Sequence, residues 1–287
     1  MIWLDTLANG ILLGGLYALF ALGLSLTFGV MRLINLAHGD LILLGSYLIF
    51  FLASSLFLPP LLALLVALIL MFALGWLLQR FVLNRALGGD LLRPLIVTFG
   101  LSILIANGLL ALFSADSRRL NLGGLEAASL VLGPINVGIL PLLTLLAAIA
   151  CVIALNILFF RTKPGRAFRA ASDDPVTLSL MGQDARKVFA IATGVAMAVS
   201  AVAAFFLATR ASFDPSIGPA RLLFAFEAVI IGGLGSFWGT LAGAIVLGVA
   251  QTVGGAFDPG WQILGGHLAF IAILTVRPRG LFPRAVD

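Results

Sequence analysis

Residues 161–187 read RTKPGRAFRAASDDPVTLSLMGQDARK, the one long polar island in an otherwise apolar chain. Six of the seventeen Lys and Arg residues lie in it: Arg161, Lys163, Arg166, Arg169, Arg186 and Lys187. A basic stretch between two membrane spans marks the cytoplasmic side. The island also carries its own helix punctuation. Residues 166–172 are good helix formers with no breaker. Asp174 suits an N-cap, Pro175 the first helical position, and Gly182 the residue just past a helix end. The pattern predicts helix, sharp turn, a second short helix over 175–181, and a return to the membrane. Phe168, Leu178 and Leu180 give it an apolar face. Two readings stand side by side. One is a helix lying on the lipid surface, held by arginines and head groups. The other is a rigid lever carrying motion from a soluble partner into the spans.

The surroundings of the island set the solvent. The chain is 61% hydrophobic and 10% charged, with a mean hydropathy of +1.17. Soluble domains carry about 25% charge, so this much apolar surface calls for lipid. An all-α, polytopic membrane fold follows. Candidate spans are 7–30, 36–58, 61–78, 92–113, 139–160, 188–209 and 261–276, with Pro59-Pro60 forcing a tight turn. Region 222–257 is long for one span and short for two. Gly232, Gly233, Gly235, Gly239 and Gly243 fall within it. It reads as two short or half-length helices meeting near 232–236, a discontinuous or re-entrant region of the kind that lines a pathway. About eight spans result, in one membrane domain over 1–287 with no linker to a soluble domain. No basic region precedes the first apolar run, so the first span is expected to stay rather than be cleaved.

With 161–187 inside and alternation outward, thirteen basic residues fall inside, including Arg32, Arg80, Arg85, Arg93, Arg277, Arg279 and Arg284. Four fall outside: Arg118, Arg119, Arg210 and Arg221. The N-terminus is then outside, and 114–138 is the longest outer loop, with Gly123-Gly124, Gly133-Pro134 and room for a short strand or helix. The net charge of +5 does not imply nucleic acid, because the basic residues sit at the ends of apolar runs, where they set topology and meet lipid head groups. Cys151 is alone, so no intrachain disulfide forms, and metal-ligand spacing is absent. No cofactor is expected.

Asn35, His38 and Asp40 form a polar break between two apolar runs. At membrane depth such groups serve a pathway or gate; at the cytoplasmic surface, where Arg32 would place them, they cap a turn. Glu227 has no Lys or Arg at helical spacing and reads either as a pathway residue or as a carboxylate paired across helices. Arg210 and Arg221 flank the outer Asp214-Pro215 loop as surface residues. Gly235, Gly239 and Gly243 recur every four residues, as do Gly10 and Gly14, which lets helices approach closely within the chain or across a subunit interface.

The stretch 9–47, NGILLGGLYALFALGLSLTFGVMRLINLAHGDLILLGSY, resembles the N-terminal signature of inner-membrane permeases of branched-chain amino acid ABC importers. GRAFRAASDDPVTLSLMGQDARKV (165–188), FEAVIIGGLGSFWGTLAGAIVLG (226–248) and RPRGLF (277–282) are similar to further parts of that family's pattern. The resemblance runs nearly end to end and favours the smaller permease of the pair; Asp40 is a mild departure that keeps the charge. It implies an inner-membrane subunit forming the translocation pathway for branched-chain or related small amino acids. Its partners would be a second related permease, two ATPase subunits and a periplasmic substrate-binding protein. The ATPases would dock on Gly165, Arg166, Arg169, Asp173 and Asp174. The residues independently exclude a P-loop: the only lysines, Lys163 and Lys187, lack the Gly-Lys-Ser/Thr setting. The chain is therefore expected not to be an enzyme. Permeases for urea or short amides share a similar signature. A self-contained secondary transporter would rest on Asp40 and Glu227, and an intramembrane serine hydrolase on Ser236 with His38 or His267.

Overall fold

The computed structural model describes residues 2–87, 92–132 and 135–282. Arg284 and Gly133-Pro134, used above, lie outside the described residues. Helices dominate because lipid offers no partner to an unpaired backbone group. In chain order they are α1 (Ile2–Met31), α2 (His38–Ser54), α3 (Pro60–Leu78), α4 (Asn84–Ala86), α5 (Leu92–Phe113), α6 (Ile139–Arg161), α7 (Lys163–Asp173), α8 (Pro175–Leu180), α9 (Ala185–Arg210), α10 (Gly218–Gly232), α11 (Phe237–Phe257) and α12 (Trp261–Val276). A π-helical segment, Gln79–Leu83, joins α3 to α4 in one apolar rod. The outer loop contains a hairpin of β1 (Ser129–Leu132) and β2 (Ile135–Gly138).

Six helices are long and apolar enough to cross a membrane among the described residues; α2 and α12 are shorter apolar helices. Two boundaries differ from the sequence reading. The second span begins at His38, not residue 36, and ends at Ser54, because 32–37 and 55–59 are irregular. The break near 232–236 is present, with Gly233 and Gly235 at φ 103° and 81°. However, α11 is a full 21 residues, and only the 15-residue α10 is short.

Contacts define the two ends of the bundle. At one end Asn136 N–H donates to Asp5 Oδ1 (2.9 Å), Trp3 stacks near Phe257, and Arg118 bridges Phe213 through backbone. At the other end Ser172 Oγ donates to Gly29 O (2.9 Å), Asn84 Nδ2 donates to Arg186 O (3.1 Å), and Leu281 N–H donates to Ile231 O (2.8 Å). Arg32, Arg80, Arg85, Arg93, Arg277 and Arg279 join the island's six basic residues at this second end. Under the positive-inside rule this is the end expected to be cytoplasmic, and it is referred to as such below.

The packing reveals an internal repeat of opposite sense. α1 descends to the cytoplasmic end and α9 ascends from it, and these two are the most buried spans. Each is followed by irregular chain (32–37 and 211–217), a shorter helix, a long helix, and a last helix. The pairings match: α2 packs on α9 as α10 packs on α1, and α3 packs on α9 as α11 packs on α1. α1–α2–α3–α5 and α9–α10–α11–α12 are therefore inverted counterparts, with the hairpin, α6 and the cytoplasmic helices between them. The sequences at the two breaks, INLAHGD (34–40) and FDPSIGP (213–219), share little beyond one glycine. The symmetry fails in one place. α12 packs along α11, where Gly265 lies against Ala250 O and Gly254, but α5 has no comparable packing on α3 and rests on α2.

Candidate functional site

The two breaks enter from opposite ends and meet inside the bundle. His38 donates from Nε2 to Phe20 O (2.8 Å), and Phe20 lies eleven residues, about 16 Å, from the cytoplasmic end of α1. Gly23 makes the room: a Cβ there would sit 2.8 Å from the His38 ring. Asn35 Oδ1 accepts from Ala37 N–H (3.0 Å), and Leu36 N–H donates to Thr98 Oγ1 (3.2 Å). Asp40 Oδ2 accepts from Ser102 Oγ (2.5 Å), ten residues into α5. Asn35, His38 and Asp40 are all buried. The break is therefore deep, and Arg32, at φ 52°, only ends α1 at the surface.

The starts of α2 and α10 cross at this level, and glycine permits the crossing. A Cβ on Gly39 would strike Gly218 O, and one on Gly218 would strike Asp40 Oδ1. Oδ1 has no hydrogen-bond partner among the described residues. An intramembrane carboxylate is costly. This one lies in the first turn of α2 and beside the start of α10, where helix dipoles favour negative charge.

Further polar pairs link α10 to α12 and α1 to α11. Glu227 of α10 accepts through Oε1 from His267 Nδ1 of α12 at 2.5 Å. Tyr17 OH donates to Gln251 Oε1 at 2.5 Å. Arg210 is half-buried, with Nη1 reaching Leu12 O at 3.4 Å, and Arg221 is also half-buried. These two arginines therefore differ from the surface residues expected of them: the irregular segment 211–217 folds back into the bundle and carries them with it. Ser236 N-caps α11, its Oγ accepting from Gly239 N–H (3.1 Å), while His38 and His267 are engaged elsewhere. Among the described residues neither histidine is hydrogen-bonded to Ser236.

The glycines work inside the chain. Cβ atoms on Gly239 and Gly243 would strike Gly232 O and Ala228 O across the α10–α11 contact, and Gly235 lies in the turn beside Gly29.

On the cytoplasmic side the island folds as helix, turn, helix. Thr162 caps α7, accepting from Gly165 N–H (3.2 Å). Gly165 is pressed against the carbonyls of Leu158 and Phe159. Arg169 donates to Phe159 O and lies over the Phe160 ring. These contacts seat α7 on the end of α6. Asp174 caps α8 by accepting from Val176 and Thr177 N–H (2.9 and 3.1 Å) and from Thr177 Oγ1 (2.5 Å). Gly182, at φ 82°, takes the left-handed turn that follows. Phe168 and Leu178 are buried, but Val176, Leu180 and Met181 are 70%, 84% and 77% exposed. Arg166 and Asp173 are exposed as well. The sequence named Leu180 as part of the apolar face. It did not reveal that this end of the face stays uncovered beside Val176 and Met181.

The hydrogen bonds from Thr177 and Val176 hold the Asp174 carboxyl below its ordinary pKa. A lowered folded-state value means that the cap contributes fully above the unfolded carboxylate range, near about pH 4, and is lost as pH falls through the lowered value. Asp174→Ala is expected to open α8 at neutral pH and raise trypsin cleavage at Arg186 and Lys187 severalfold. The same variant should behave like the parent once the pH is low enough to protonate Asp174. The check is limited proteolysis at pH 7, with hydrogen exchange of α8 followed downward from pH 5.

The family model described as "Branched-chain amino acid transport system / permease component" matches residues 6–276. The high-affinity branched-chain amino acid transport system permease protein BraD of Pseudomonas aeruginosa is 29% identical, over 98% of this chain and 96% of that one. LivH of Escherichia coli K12, with the same descriptive name, shows the same identity and coverage. LivM of that organism is 27% identical over 93% of this chain and 68% of its own length. No solved structure matches.

Proposed function

The chain belongs to the family of branched-chain amino acid transport system permease components, and from that premise we propose that it is one permease of an ATP-driven importer in the cytoplasmic membrane. The cargo is a branched-chain or related small amino acid. The partners are a second, related permease, two ATPase subunits and a soluble extracytoplasmic binding protein. The chain itself does no chemistry: without a P-loop its share of the ATP cycle is mechanical. A likeness to both LivH-type and LivM-type permeases supports pairing with a related chain rather than with itself.

The observation that carries this reading is the uncovered apolar end of α8. Val176, Leu180 and Met181 stand at the basic, cytoplasmic end on a helix that is capped at both ends and followed directly by α9. A rigid element presenting apolar side chains to water fits a protein surface. Asp184, which caps α9, also meets Arg80 at 3.7 Å. Asn84 holds Arg186 O and accepts from Gln79, while Gln79 accepts from Thr193. Motion at α8 therefore passes into α9, one of the two central helices, and through the π-helical segment into α3. A π-helical turn at this junction is a recurrent feature of functional sites.

The test is to purify the tagged chain from its native membrane in mild detergent and identify what accompanies it. A second permease with P-loop ATPases is the expected result. A stable chain that arrives alone would overturn the reading and move attention to Asp40 and Glu227 as coupling groups of a secondary transporter.

A further inference from the structure

At the cytoplasmic end the π-helical segment, α4 and the start of α5 frame an open cleft of about 470 Å³. Its lining includes Phe81, Val82, Arg85, Arg93, Ile96 and Val97. Small-ligand sites typically span about 300–1,000 Å³. The π-helical turn shapes one wall, since it keeps Gln79 and Leu83 buried while Phe81 and Val82 stand exposed. The first turns of α5 form the other wall.

Charge and shape point to one class of occupant. Three arginines rise from this stretch. Arg80 meets Asp184 at 3.7 Å. Arg85 and Arg93 are exposed and have neither a hydrogen bond nor an ion pair among the described residues. Both line the same cleft, so they suit an anion that bridges them. Beneath them the surface is apolar. Leu92, Ile96, Phe99 and Ile103 recur at helical spacing on α5, and all four are exposed. The stripe from 92 to 103 is about 16 Å long, and one leaflet's hydrocarbon is about 15 Å deep. α5 is also the least buried of the six long apolar helices among the described residues. A soluble partner would meet the arginines but not reach down the stripe. A neighbouring membrane helix would cover the stripe but leave two cations to be matched by carboxylates at a protein contact, a costly arrangement. A phospholipid with an anionic headgroup satisfies both parts, and the cytoplasmic leaflet is rich in such lipids.

We propose that this cleft is a specific site for an anionic phospholipid of the cytoplasmic leaflet. Its phosphate lies between the Arg85 and Arg93 guanidinium groups, and an acyl chain follows Ile96 and Phe99 along α5. The site goes beyond the importer reading and does not depend on it. Phe81 and Val82 belong to the π-helical turn whose Gln79 accepts from Thr193 and donates to Asn84. A seated lipid therefore braces the junction that ties α3 to α9, and its occupancy raises the unfolding temperature of the chain.

Photolabelling tests it. The full chain, with whatever partners accompany it from its membrane, is placed in phosphatidylcholine nanodiscs and titrated with phosphatidylglycerol carrying a photoreactive acyl chain. Crosslinks are expected on residues 81–82 and 92–103. Arg85→Gln with Arg93→Gln is expected to raise the half-saturating phosphatidylglycerol about thirtyfold, because each surface cation contributes roughly a fivefold factor. Both side chains are exposed, so this variant should melt like the parent in phosphatidylcholine alone but lose the rise that phosphatidylglycerol gives. Arg277→Gln with Arg279→Gln removes the same charge from the same end and should shift the titration by no more than about threefold. Ile96→Trp fills the cleft while keeping both arginines and should cut the labelling as well. Equal labelling by a photoreactive phosphatidylcholine, or an equal loss in the Arg277 and Arg279 variant, means that the cleft reads no headgroup and overturns the proposal. Labelling that appears only after the partners are stripped away means that protein covers the cleft, and overturns it too. A chain that arrives without partners yet labels at the cleft supports the lipid site and overturns only the importer reading.

Discussion

Leu180→Asp combined with Met181→Asp is expected to abolish uptake while the chain stays folded and paired in the membrane. Both side chains are more than three-quarters exposed at the cytoplasmic end. Neither stabilises the isolated fold, so their loss leaves the core intact. The importer reading proposed above buries them against an ATPase subunit. Burying one large aliphatic side chain stabilises by about 1.5–3 kcal/mol. Losing two, and forcing two carboxylates into an apolar contact, weakens docking by several kcal/mol, or roughly a thousandfold or more. The check is ATPase retention on the purified complex, with substrate-stimulated hydrolysis in proteoliposomes. Full retention and normal stimulation would remove α8 from the docking surface. The charged residues of the same loop should behave differently. Arg166→Ala removes an exposed group and is expected to have a small effect. Arg169→Ala strips α7 of its hold on Phe159 O and Phe160, so it acts by loosening the loop rather than by losing a partner contact.

Much of this architecture was legible in the sequence because membrane spans announce themselves. Apolar runs gave the helices, Asp174-Pro175 and Gly182 gave the caps of α8, and the glycines near 232–236 gave the break before α11. What stayed hidden depends on depth and on partners far away in the chain. A six-residue polar break looks the same at the surface and at mid-bundle. Only the His38 bond to Phe20 O and the Asp40 bond to Ser102 place it inside. The segment before α10 resembled an outer loop because Pro215, Gly218 and Pro219 are loop residues by composition. In the fold they let the chain turn back in and start a helix below the surface. Glu227 showed no partner at helical spacing because its partner is forty residues away on α12. The inverted repeat was invisible for a related reason. Lipid constrains residue type weakly along an apolar face, so two halves can share a path through the membrane with little sequence in common.

Gly243→Val is expected to prevent stable folding, with accumulation in the membrane falling to a small fraction of the parent and a large drop in the unfolding temperature of whatever remains. α10 and α11 run antiparallel at glycine distance, and a Cβ at 243 would land on Ala228 O and 2.5 Å from Gly232 N. Overpacking a core of side chains typically costs about 1–3 kcal/mol because rotamers can give way. Here the obstacles are backbone atoms, which cannot rotate aside. α11 has no free direction in which to retreat, because its other face is equally close to α1. A Cβ on Gly248 would strike Gly10 O and sit 2.5 Å from Gly14 N, and a Cβ on Gly14 would sit 2.5 Å from Ile245 Cα. Relieving one contact therefore tightens the other. Gly108→Val supplies the contrast. The same substitution on α5 meets open space in the isolated chain and should leave the unfolding temperature of that chain unchanged. If Gly243→Val accumulates and melts like the parent, the close α10–α11 packing is wrong. If Gly108→Val destabilises the isolated chain, the open face of α5 is in fact occupied.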